Sequence, residues 1–307
     1  MIRSYQTRFH TRIINANNIT PTEQDQLMSE YGVTREIINY ALDKFERPRV
    51  TYNSLTHSYL MVLSLPSAAQ GLANSIQSVT LLANEQDLIC FTNSYSEDVM
   101  AYIDHFLTLY KDKTNLIFRI FADLIATISD NFLDEVKKHY NEQEKIEMRF
   151  QHRSHRTQTI GRLAQLQTNI TFGVTSTSGN DDLVDEIYNF FDSDDNDLNL
   201  DNRTRRHLEN ARIESNQALK NFQLINDIAQ QLSVTYNNIL NNETNDVMRY
   251  LTVYSLILTI PTIVVGFYGM NMKLPLANSG WSWIFSIGIT AILCIILILD
   301  MIRRHFL

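Results

Sequence analysis

The chain has 307 residues, 44% of them hydrophobic and 20% charged, with a formal net charge of -8 at pH 7. These averages exclude a disordered chain and a collagen, and the acidic balance excludes a nucleic-acid binder that meets phosphate with an overall positive field. Two cysteines, Cys90 and Cys294, supply neither a disulfide framework nor a cysteine zinc site between them.

In chain order, Met1 to Ile14 carries scattered charges and no continuous apolar run, so it reads neither as a signal peptide nor as a transit sequence. Thr20 to Glu23 has the capping-box pattern with Pro21 at the first helical position, and Gly32 is a stop signal. A second helix is predicted over Glu36 to Phe45. Tyr59 to Leu65, closed by Pro66, reads as a strand. Two more strands follow, Ile76 to Leu82 and Asp87 to Thr92, joined by a turn at Asn84. From Glu97 onward the pattern is helical, and the stretches Thr171–Asp182 and Asp192–Leu200 are expected to break it. The mean hydropathy is slightly negative, yet the excess apolar character sits in the last fifth of the chain.

Residues Asp192, Asp194 and Asn196 place oxygen ligands at the first, third and fifth positions of a calcium loop. The sixth position, which needs glycine for a sharp turn, is Asp197, and the twelfth, which needs a bidentate glutamate, is Arg203. A solvated acidic loop and helix cap is the favoured reading. The cluster His152, Arg153, His155 and Arg156 reads as a solvated helix face, because its arginines oppose a metal cation. Neither a glycine-rich phosphate loop, a nucleophile elbow nor a zincin helix occurs, and the chain is not expected to be an enzyme.

No proline or glycine occurs between Leu200 and Pro261, which predicts one long helix as a stalk. Along it Phe222, Ile225, Ala229, Leu232, Tyr236 and Ile239 step by 3, 4, 3, 4, 3, the seam of a coiled coil that seeks partner helices. Leu251 to Met270 and Trp281 to Leu299 then form two charge-free runs. Each is long enough to cross a hydrocarbon core of roughly 30 Å. Arg249 precedes the first run, Arg303, Arg304 and His305 follow the second, and the connector holds Lys273, a bias that places both termini on the cytoplasmic side. Trp281 and Trp283 fit an interfacial belt at the outer end of the second span.

The first span holds Thr252, Ser255, Thr259 and Thr262, which step by 3, 4, 3 and continue in register to Gly266 and Gly269 outward and to Met248 and Asn245 inward. Packing of small and hydroxyl residues against a neighbouring helix explains such a stripe, and so does the wall of a water-filled path. Pro261 frees a backbone carbonyl one turn earlier for a pore or a neighbour.

The span closes on Tyr268-Gly269-Met270-Asn271. Here the chain resembles the CorA-type magnesium transporters, whose signature is a Gly-Met-Asn tripeptide ending the first of two C-terminal membrane helices. The resemblance covers the whole architecture and is closest in motif from Asn245 to Asn271. It implies an α+β fold: an N-terminal α/β cytoplasmic domain (residues 1–120), cytoplasmic helices (121–200), a stalk helix continuing into the first span (201–270), an outer loop (271–280), a second span (281–300) and a basic tail (301–307). It further implies a funnel-shaped homopentamer in the cytoplasmic membrane, conducting divalent cations, Mg2+ first and Co2+ or Ni2+ as passengers, and needing no resident cofactor. Gly269, Met270 and Asn271, with Gly266, Thr262, Thr259 and Ser255, would form the selectivity path, and Asn245, Met248, Leu251 and Thr252 the inner mouth and gate. A ring of neutral amide oxygens suits magnesium, which sheds its water reluctantly and is then held through that water.

One departure is the outer loop, Met272-Lys273-Leu274-Pro275-Leu276, which lacks the glutamate many relatives carry there. The relatives also imply regulatory Mg2+ bound by cytoplasmic acids, for which Asp192, Asp194, Asp195, Asp197, Glu209 and Glu214 are candidates. Two other readings remain: a zinc transporter of the same superfamily, or a membrane-anchored sensor or scaffold that conducts nothing.

Overall fold

The structure is a computed structural model that describes all residues except 44–45, 55, 68–75, 85, 151–155, 193–199, 271–280 and 304–307. It divides into two compact units, Met1–Ser233 and Val234–Leu307.

The first unit is built on a six-stranded sheet of β1 (Ile2–Gln6), β2 (Arg12–Asn17), β3 (Arg49–Asn53), β4 (Ser58–Pro66), β5 (Ile76–Ala83) and β6 (Asp87–Thr92). Their spatial order is β1-β2-β6-β5-β4-β3, and only β2 and β6 run parallel. The three strands read from the sequence are the central ones. They are buried on both faces, and that is what near-continuous apolar runs report. Of the three strands the sequence reading missed, β1 and β3 are the two edge strands, and β2 pairs between β1 and β6. β1 and β3 are largely exposed, so neither shows an apolar run.

Cross-strand register builds one face of the core. Ile14 stands opposite Ile89, Ile89 opposite Leu82, and Leu82 opposite Leu60. Helices α1 (Pro21–Tyr31) and α2 (Arg35–Leu42) cover this face with Leu27 and Ile38. The α1 capping box forms as predicted: Thr20 accepts from the Glu23 amide, and Glu23 accepts from the Thr20 amide at 2.8 Å. Those contacts, the Thr20 amide first, hold the Glu23 carboxyl down at about 2. Gly32 ends α1 at φ 65°, the left-handed position that glycine adopts without strain. α2 starts at Arg35 and ends at Leu42, and Phe45, its expected last residue, lies outside the described residues.

The other face carries α3 (Asp98–Leu109), α4 (Leu116–Phe150) and α5 (Arg156–Asp192). Cys90 points here, and burial pushes its thiol up to about 12. α5 corrects an expectation. Thr171–Asp182 continues the helix without a break. Its glycines and polar side chains serve close approach instead. A Cβ on Gly173 would stand 2.1 Å from the Phe222 ring, and one on Gly179 would stand 2.8 Å from Pro48. Asn180, 2% exposed, donates to the Ser64 carbonyl at 2.7 Å and accepts from the Ser64 amide at 2.9 Å. It thereby completes β4 beyond the point where its pairing with β3 stops at Arg49–Val62. Of the basic cluster after α4 only Arg156 is described. It donates to the Phe150 carbonyl and stacks on the Phe150 ring.

α6 (Asn202–Tyr268) is a single 67-residue helix, as the proline- and glycine-free run predicted. Its first half belongs to the first unit and corrects the second expectation. Phe222, Ile225 and Ala229 are 1%, 0% and 0% exposed within this one chain. Phe222 meets Phe132 of α4 edge to face at 5.7 Å and fills the space left by Gly173 of α5, while Gln167 of α5 donates to the Ala229 carbonyl. The upper part of the seam is thus covered by the chain's own helices rather than kept for partner copies. A 3.5-residue period records that a face is buried, not what buries it.

The start of α6 is tied to the α3–α4 connection by polar contacts. Asp201 caps the helix, bonding the Thr204 amide and hydroxyl, and the hydroxyl bond holds its carboxyl below the usual range. Asp112 bridges Arg119 of α4 at 2.9 Å and Arg203 of α6 at 3.1 Å, and Asp123 accepts from Tyr110 and pairs with His207.

Candidate functional site

The second unit contains the end of α6 and α7 (Ser282–Arg303). Both helices are long and apolar enough to cross a membrane, and the apolar stretches of both are largely exposed. Large side chains such as Leu258, Ile263, Val265, Ile287 and Leu299 stand 60 to 68% exposed. That is the surface of helices that meet lipid rather than water.

Each helix also has one covered stripe. On α6 it comprises Val253 and Val264, 6% and 7% exposed, with half-buried Ile257, Ile260 and Pro261. On α7 it comprises Ser286, Ile289, Thr290, Cys294, Leu297, Ile298 and Met301. One covered stripe on each of two otherwise exposed helices is the pattern of helices packed along one side.

The polar stripe of α6 lies on the other side. At 3.6 residues per turn, Thr252, Ser255, Thr259, Thr262, Gly266 and Gly269 share an arc of about 100°, centred roughly 180° from the covered stripe. Asn245, Met248 and Leu251 continue the same arc inward, and every one of these residues is exposed in the single chain. The hydroxyls have a defined direction. Thr252 donates to the Met248 carbonyl at 2.8 Å, Thr259 to Ser255 at 2.7 Å, and Thr262 to Leu258 at 2.9 Å. With the proton turned back onto the helix, each oxygen keeps its lone pairs for an outside donor. Gly269 leaves the helix with its amide on the Val265 carbonyl at 2.8 Å, and Met270 follows in a bend. Asn271, the residue expected to close the path, lies outside the described residues, as does the loop to Gly280.

Of the two roles open to Pro261, a neighbouring helix fits its place better than a pore. It sits half-buried on the covered side, so the carbonyl it frees, that of Ile257, does not lie on the polar arc. Of the candidate regulatory acids, Asp194, Asp195 and Asp197 fall outside the described residues, Asp192 ends α5, and Glu214 is half-buried on α6. Glu209 lines an open cavity of about 650 Å3 between α5 and α6, together with Asp185 and Arg212, which pair at 2.6 Å. Among the described residues no three His, Cys, Asp or Glu side chains converge on a metal site.

Sequence reasoning missed Asp181, beside that cavity. It is 8% exposed, accepts from Asn216 at 3.2 Å through one oxygen, and has no partner for the other. Burial raises its carboxyl above the usual range, with Asp185 and Asp182 adding to the shift. Lone acidic letters inside an acidic stretch carry no signal for this.

Comparison with known proteins agrees with the architecture. No curated protein sequence matches. Among solved structures, the complete CorA magnesium transporter from Methanocaldococcus jannaschii superposes with a TM-score of 0.76 at 15% identity, covering 97% of this chain and 92% of that one. The full-length CmaX protein gives 0.69 at 14%, covering 96% and 88%. The soluble domain of the Methanocaldococcus jannaschii CorA gives 0.57 at 13%, covering 72% and 86%. At these identities the structures show a shared fold, and a family model described as CorA-like Mg2+ transporter protein matches residues 10–304. The chain therefore belongs to the CorA-like Mg2+ transporter family, a superfamily of divalent-cation transporters.

Proposed function

We propose that this chain forms a membrane channel for hydrated divalent cations, with Mg2+ as its main ion, and that the polar arc of α6 is the wall of the path. The observation that carries the reading is the arc itself. It faces away from the side its own chain covers, and it offers small side chains and oxygen lone pairs with their protons already used. Water bound to a cation points its hydrogens outward, so the wall it passes must accept hydrogen bonds. Magnesium keeps its water readily, which makes an acceptor-lined wall a better match than a cage of carboxylates.

One copy provides one strip of such a wall. Several copies, five by the resemblance, would close it around an axis in the cytoplasmic membrane, both termini inside. Asn271 would ring the outer mouth, with Gly269 and Met270 turning the chain there. Met248 and Leu251, 57% and 62% exposed on the same arc, would close the inner end by dewetting. Control by intracellular Mg2+ on Asp192, Asp194, Asp195, Asp197, Glu209 and Glu214 belongs to the same proposal. A net charge of -8 on each copy makes neighbouring copies repel, and divalent ions between them would relieve that repulsion.

The test is ion flux into liposomes containing the purified protein, read with dyes for Mg2+, Zn2+, Co2+ and Ni2+. Uptake of Mg2+ ahead of the others supports the reading. Zn2+ uptake alone would move the assignment to a zinc transporter, and no uptake of any ion would leave an anchored scaffold.

A further inference from the structure

A second candidate site lies in the first unit, away from the spans. Between β3, β4, α4 and the end of α5 is a cavity of about 150 Å3. Its lining is mostly aromatic: Tyr52, Tyr59, Phe118 and Phe190, with Val50 and Ile187, and Glu186 is the one charged residue among the lining residues. Neighbouring rings of the lining touch one another at different angles. Tyr52 and Tyr59 lie 4.7 Å apart at 36°, and Tyr59 and Phe118 lie 5.1 Å apart at 79°. Tyr52 and Phe190 remain 43% and 41% exposed, which leaves the mouth open to solvent. The Tyr52 hydroxyl meets His57 Nδ1 at 3.0 Å, which steadies that ring.

The chemistry of the lining points to the class of guest. Aromatic faces carry a negative quadrupole that attracts a cation, most strongly one with a weakly held water shell. Glu186 adds a formal negative charge at the same opening. A cavity of about 150 Å3 holds a guest the size of benzene, and a trimethylammonium group is of similar size. Metal dications, which need several oxygen ligands, find one carboxylate here.

We propose that this cavity is a binding site for a small alkylammonium cation. The cationic head would sit against Tyr52, Tyr59, Phe118 and Phe190, with Glu186 as counter-ion.

The experiment is calorimetric titration of the full-length protein in a maltoside detergent, which has no ammonium head of its own. The probes are choline and its uncharged carbon isostere, 3,3-dimethylbutan-1-ol. Choline should bind about tenfold more tightly than the isostere. Glu186→Gln and Tyr52→Leu, both at exposed positions, should each weaken choline at least about threefold and leave the isostere's affinity unchanged. Equal affinities for the two probes would mean an apolar hole, and overturn the proposal. Choline binding that survives both substitutions would place the ion elsewhere, the channel path included, and would overturn it equally, as would no heat from choline at tens of millimolar.

Discussion

Gly266→Ala separates a wall facing an ion path from a wall facing lipid. A Cβ built on Gly266 meets nothing within 4 Å in the single chain, so the methyl group costs the folded copy no contact. Replacing glycine by alanine inside a helix favours the helix by about 1 kcal/mol. For a chain of this size that corresponds to a rise of roughly 2 °C in unfolding temperature. The same methyl group has another effect if copies surround an axis. Each adds a C–C bond of about 1.5 Å toward the centre, narrowing the opening by roughly 3 Å across. A hydrated cation that fits through with its water would then be hindered, and Mg2+ uptake by liposomes should fall by about tenfold or more. The two readouts, thermal unfolding in detergent and dye-reported flux, come from the same preparation. Unchanged flux together with the rise in stability would refute the placing of this arc around a path, because it would mean that Gly266 meets only lipid.

Asn271→Ala should abolish uptake at normal expression and membrane insertion, whereas Asn278→Ala in the same loop should be tolerated; equal transport by the first variant would contradict its role. Asn180→Ala removes two buried bonds to the Ser64 backbone and should cost about 2–4 kcal/mol, read as a lower denaturation midpoint of the first unit's unfolding transition. Asp181→Asn should raise the unfolding temperature at pH 7. The folded carboxyl titrates above its ordinary value of 3.8, so its unfavourable effect is absent below that value and sets in as pH rises through the folded pKa. The gain should therefore vanish toward pH 3, and a gain independent of pH would show that burial of the charge is not its cause. Millimolar Mg2+ should protect the first unit from limited proteolysis, and neutral variants of Asp192, Asp194, Asp195, Asp197, Glu209 and Glu214 should lose that protection; protection that persists in them would remove these acids from the regulatory role.

Much of the fold and the core of the candidate site could be read from local pattern. Charge-free runs of spanning length, the Thr20–Glu23 box, the three central strands and the 3, 4, 3 spacing of Thr252, Ser255, Thr259 and Thr262 are properties of neighbouring residues, and short-range physics suffices to produce them. Other features depend on what lies across the fold. β1 and β3 have no apolar run, and they become strands because β2 and β4 present unpaired edges to them. Thr171–Asp182 looks like a break because glycine and threonine weaken an isolated helix. It stays helical because Gly173 admits the Phe222 ring and Asn180 satisfies Ser64, contacts worth more than the lost propensity. The seam from Phe222 to Ala229 announced burial but not its partner, and tertiary packing gave it to α4 and α5 of the same chain. The stripe on α6 shows the same division. Spacing alone put its hydroxyls on one face, while only the packed structure decided that this face is the one its own chain leaves uncovered, because which side of a helix is buried depends on the position of its neighbours and not on its own period.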